Sequence, residues 1–191
     1  KDFDDFFSLY WTKDSKNRRN HQEFIVSLFV HVTRLTSGNI NKQERDSAYS
    51  DDSDELRNVK KVRDTLRVAS ECCTNYDKGG KLLPNEATRV DLCMIIHYLL
   101  SSNNKITNKR KFFEWFVESY NEAKNAKDEN GNNVILWHNG NGLDPRDYAG
   151  VQRSYDSGHR NARLEVYVKA LSKLDDDVII QKDSKRSFNF K

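Results

Sequence analysis

The stretch Val90-Asp-Leu-Cys-Met-Ile-Ile-His-Tyr-Leu-Leu100 decides the fold. At 100° per residue, Val90, Leu92, Cys93, Met94, Ile95, Ile96, Tyr98, Leu99 and Leu100 cover nearly the whole circumference of a helix. A helix that is apolar all round is a central, buried one. Eleven residues would also suit a strand, but the preceding Asn85-Glu-Ala-Thr-Arg89 favours a helix, which Pro84 opens.

Working outward, the neighbouring segments repeat with helical period. On the N-terminal side, Phe3, Phe6, Phe7 and Tyr10 stand at i, i+3, i+4, i+7. A helix over 21–37 carries Phe24, Ile25, Leu28, Phe29, Val32 and Leu35, with Gly38 placed as its C-cap glycine. Residues 39–53 read as a polar loop. Ser53 then caps a helix reaching Cys73, striped by Leu56, Val59, Val62, Leu66 and Cys73, with Arg57, Lys60, Lys61, Arg63 and Arg67 on its other faces. On the C-terminal side, Ser101–Asn104 is a short loop and Thr107 caps a helix over 108–128. That helix holds Phe112, Phe113, Trp115, Phe116, Val117 and Tyr120. Residues 128–143 are rich in Asn and Gly, with an apolar island at 134–137. Asp144-Pro145 starts a short helix to about Tyr155. A last helix over 159–174 rests on Leu164, Tyr167, Val168, Leu171 and Leu174.

The expected fold class is therefore all-α: an irregular bundle of six or seven helices with at most a marginal strand near 134–137 or 178–180. Residues 1–180 read as a single helical domain, with 129–143 as its internal seam. Residues 181–191 read as a basic tail or linker toward a following domain. The 191-residue length suits one domain or a small pair. Only two prolines interrupt the chain, as long helices require. No apolar run approaches the roughly 18–20 residues of a membrane span, so no membrane partner is expected. The opening Lys-Asp-Phe-Asp-Asp is acidic where a secretory signal needs a basic end. It also lacks a starting Met, so the chain reads as a piece of a longer one.

Most site chemistries find no complete motif. The three cysteines, Cys72, Cys73 and Cys93, are an odd count with an adjacent pair and no CxxC, and read as reduced thiols on helices in a cytoplasmic protein. His21 and His31 share one helix but lie about 15 Å apart along its axis, too far to share a metal. His97 reads as a core histidine with one backbone or hydroxyl partner, and His138 as an exposed loop residue. Gly79-Gly80 and Asn139-Gly-Asn-Gly142 lack the strand and the Lys-Ser/Thr of a phosphate loop and read as turns. The acidic runs Asp4-Asp5, Asp51-Asp52 and Asp175–Asp177 read as solvated or helix-capping acids. No catalytic residue, metal ligand or cofactor is assigned.

The clumping of cations is more informative. Lys+Arg is 32 against Asp+Glu 29, a net charge of only +3, yet the cations gather at Lys13/Lys16/Arg18/Arg19, Arg57–Arg67, Lys105/Lys109/Arg110/Lys111 and Lys182/Lys185/Arg186. The first and third groups lead into helix starts, where cations oppose the helix dipole. A phosphate partner turns that cost into a gain, because exposed amides at the same place also bind anions.

The end of the chain carries a resemblance. Leu171-Ser-Lys-Leu174, an acidic break, and Lys185-Arg-Ser-Phe-Asn-Phe-Lys191 resemble the run that leads into a C-terminal HNH nuclease module, with Arg186 and Phe188 matching its Arg-x-Phe. The Tyr/Phe-rich helices before it are similar to the helical middle of bacterial restriction proteins of the GmrSD type. Those carry a ParB-like nucleotide-hydrolysing domain before it and an HNH nuclease after it, and act in defence against phage. The ParB-like Asp-Gly-Gln-Gln-Arg type motif and the HNH residues do not occur here, so no catalytic role carries over. The resemblance implies a non-catalytic helical domain that positions DNA beside flanking nuclease and nucleotide-hydrolysing domains.

On that reading, Lys13, Lys16, Arg18, Arg19, Lys109, Arg110, Lys111, Lys185 and Arg186 are the expected contacts to the DNA phosphate backbone. The alternative is a helical protein-interaction or structural module with no nucleic-acid role, its interface formed by exposed aromatics at Trp115 and Phe116.

Overall fold

The computed structural model describes residues 3–12, 20–33, 55–74, 76–83, 85–125, 157–173 and 179–181. Six helices and one two-stranded sheet occur among them: α1 (Asp4–Tyr10), α2 (Asn20–Thr33), α3 (Glu55–Cys73), α4 (Glu86–Ser101), β1 (Lys105–Ile106), α5 (Lys109–Asn125), α6 (Ser157–Lys173) and β2 (Ile180–Gln181). The all-α expectation holds, and the strand foreseen near 178–180 is the two-residue β2. The expected features at Gly38, Ser53, 134–137 and Asp144–Tyr155 lie outside the described residues.

Contacts divide the chain into two compact units, Lys1–Tyr98 and Leu99–Lys191. The division falls inside α4, near the end of the stretch that reads as central; the seam expected at 129–143 lies outside the described residues.

In the first unit, α1 and α2 both pack against α3. The sequence dictates the pairing surface: Phe6, Phe24, Leu28, Leu66, Cys72 and Cys73 are all buried. Phe6, Phe7, Trp11 and Phe24 interlock, with Trp11 and Phe24 ring centres 5.2 Å apart. Such pairs add about 0.5–1.5 kcal/mol each beyond the area they bury. On α4, every residue from Thr88 to His97 is buried. Its N-cap is Asn85, whose Oδ1 accepts from the Thr88 amide and the Thr88 hydroxyl, both at 2.8 Å. Val59, expected in the core stripe of α3, is half exposed instead.

In the second unit, α4 ends in a Schellman motif. Asn103 takes the left-handed conformation (φ 60), and the Asn104 amide reaches back to the Leu99 carbonyl at 2.9 Å. The chain then enters β1, antiparallel to β2 with Lys105 opposite Gln181 and Ile106 opposite Ile180. The Thr107 amide extends the pairing to the Ile179 carbonyl at 3.0 Å. The side-chain cap of α5 is Asn108, one residue beyond the expected Thr107: its Oδ1 accepts from the Lys111 amide at 3.0 Å. Packed with these elements is a core of Phe112, Phe113, Phe116, Leu164, Tyr167, Leu171 and Ile180.

Candidate functional site

Three of the predicted phosphate contacts are brought together. Lys109, Arg110 and Lys111 form the first turn of α5, all exposed, and Lys105 stands exposed on β1 just before them. That first turn holds no acid, so nothing in it offsets cations placed at the positive end of the dipole. The stretch is fixed at both ends, by the β1–β2 pairing and by the Asn108 cap. Its cations are not equivalent. Arg110 Nε donates to Glu114 Oε1 at 2.7 Å, an i,i+4 pair on the surface. Surface pairs of this kind contribute about 0–1 kcal/mol, so the guanidinium can exchange partners cheaply.

Lys13, Lys16, Arg18, Arg19, Lys185 and Arg186 lie outside the described residues. Lys105, in the same basic group, is absent from the set of contacts read from the sequence, although its position before the α5 cap marks it equally.

The aromatic interface expected at Trp115 and Phe116 is corrected. Phe116 is fully buried and Trp115 is 8% exposed. Phe116 stacks on Tyr167 with ring centres 5.1 Å apart, and Trp115 meets the same ring edge-on at 6.4 Å. The α5 stripe turns inward because Phe112, Phe113 and Phe116 repeat at helical spacing opposite its cations and glutamates. The two aromatics are core of their unit.

A second polar centre was not legible as a site. Arg89 is buried on α4, its guanidinium carbon 4.9 Å from the Tyr10 ring centre and 4.6 Å from that of Trp11. Nη1 donates to the Leu83 carbonyl at 3.3 Å, and Nε is buried without a hydrogen-bond partner. Burial lowers its pKa, against the opposing charges of Glu86 and Asp77. Beside it, the fully buried Asp77 accepts from the Tyr10 hydroxyl and from the Leu82 and Leu83 amides. These groups tie the end of α1 to the loop before α4. Asp77 and Arg89 are buried and Tyr10 is half-buried, and their chemistry is structural: cation–π contact and carboxylate satisfaction.

The remaining titratable candidates are also inward. Cys72, Cys73 and Cys93 are free and buried, and burial raises the Cys73 and Cys93 pKa values, which keeps them as inert thiols. His97 takes a hydroxyl partner as its sequence context suggests, with Nδ1 3.5 Å from Thr65 Oγ1. Among the described residues, no group of three or more His, Cys, Asp or Glu side chains could hold a metal ion. None of the described helices is long and apolar enough to cross a membrane. No family model, curated protein or solved structure matches the chain.

Proposed function

We propose that the chain is a non-catalytic helical module that holds DNA by its phosphate backbone. The setting we propose is a cytoplasmic bacterial restriction or phage-defence nuclease, as the resemblance at Arg186 and Phe188 implies. One observation carries the phosphate contact. Lys105, Lys109, Arg110 and Lys111 are exposed together at the start of a 17-residue helix whose first turn holds no acid. Intrinsic stability disfavours that arrangement, and a bound phosphate reverses the sign. Contacts of this kind position a duplex without reading its bases.

The test is anisotropy of a labelled DNA duplex titrated with the 191-residue chain across a salt series. Three phosphate contacts, from Lys105, Lys109 and Lys111, give a log–log slope of about −3, and release of Arg110 from Glu114 adds a fourth. The reading fails if no binding appears at low salt, or if neutralising Lys105, Lys109 and Lys111 together leaves affinity and slope unchanged.

A further inference from the structure

We draw no further inference here: the strongest candidate, the apolar groove of the first unit lined by Phe3, Ile25, Phe29, Val59, Val62 and Leu66, carries nothing, because the one cation on its wall, Arg63, already has a partner and nothing in the structure shows what covers it.

Discussion

The Tyr10 hydroxyl donates a 2.6 Å hydrogen bond to Oδ2 of Asp77, 67 residues further along the chain. Asp77 also accepts from the Leu82 amide at 2.8 Å and the Leu83 amide at 3.3 Å. A carboxylate with no exposed surface is tolerated only when its lone pairs are satisfied, and here three donors converge on it. Burial, then the neighbouring Cys73 and Asp77, hold the Tyr10 hydroxyl protonated well beyond the usual tyrosine range, so it stays a donor. The pair fixes where α1 ends and how the 76–83 loop enters α4.

Removing that donor should be costly out of proportion to one oxygen atom. Tyr10→Phe leaves the ring in place and Asp77 short of a partner, a loss of about 1–3 kcal/mol. Asp77→Ala should cost more, because it also orphans the Leu82 and Leu83 amides. Urea unfolding monitored by circular dichroism reads both. A Tyr10→Phe midpoint equal to that of the parent chain would remove the carboxylate from this organising role.

The same junction singles out one of two adjacent glycines. Gly79 and Gly80 both have positive φ, 79° and 64°. A Cβ on Gly80 would run into the Leu9 carbonyl oxygen, whereas one on Gly79 meets only the Lys81 side chain at 4.0 Å. Gly79→Ala should lose roughly 1–2 kcal/mol, the left-handed penalty alone. Gly80→Ala should lose clearly more, since the end of α1 must move. Equal thermal shifts for the two would contradict the close approach.

His97 sets an acid limit. Burial, aided by the charge of Lys61, pulls its pKa down from 6.5 to about 4. Between those values the unfolded chain binds a proton that the folded chain refuses, so stability is complete above about 6.5 and falls as pH drops toward 4. The full difference is on the order of 3 kcal/mol. His97→Asn should be less stable at neutral pH, through the cavity and the altered Thr65 contact, but should show a flatter acid limb. Denaturant midpoints through the window check the slope, and an unchanged slope in the variant would place the acid sensitivity elsewhere.

Trp115 and Phe116 distinguish core from interface. Trp115→Ala should destabilise the chain by about 3–5 kcal/mol, as truncation of a buried aromatic does, and Trp115→Phe by far less. Calorimetry of both variants tests this. A loss below about 1 kcal/mol for Trp115→Ala would return Trp115 to the surface.

How much of this was legible in the sequence follows the range of the interactions. The helices were readable because period is local: the all-round apolar run at 90–100 and the Phe112–Phe116 repeat each report their own burial. The direction in which an aromatic stripe faces is not local, and Trp115 reads equally well as core or as interface until Tyr167 is placed against it. Val59 has the same ambiguity in the opposite sense, since only the breadth of the α2–α3 contact decides that it stays half in water. Arg89 and Asp77 are invisible as a pair in the sequence because their link runs through Tyr10, at the end of a distant helix. The cap at Asn108 was missed by one residue for a simpler reason: Thr107 and Asn108 are both good caps, and the β1–β2 pairing claims the backbone of Thr107.

The ion pair between Arg110 and Glu114 gives the phosphate-contact reading a sharp test. Glu114 competes with a phosphate for the same guanidinium, so Glu114→Gln should raise DNA affinity and steepen the salt slope by about one. Lys111→Gln should do the reverse, weakening binding uniformly across sequences and reducing the slope by about one. Arg110→Gln should cost less than Lys111→Gln in the parent chain and as much as Lys111→Gln in the Glu114→Gln background, because only there is Arg110 released from its carboxylate. The pair is exposed and contributes little to folding, so the variants should melt with the parent chain. Anisotropy across a salt series reads all four variants on one duplex. If Glu114→Gln and Lys111→Gln both leave the slope where it was, DNA does not touch the start of α5.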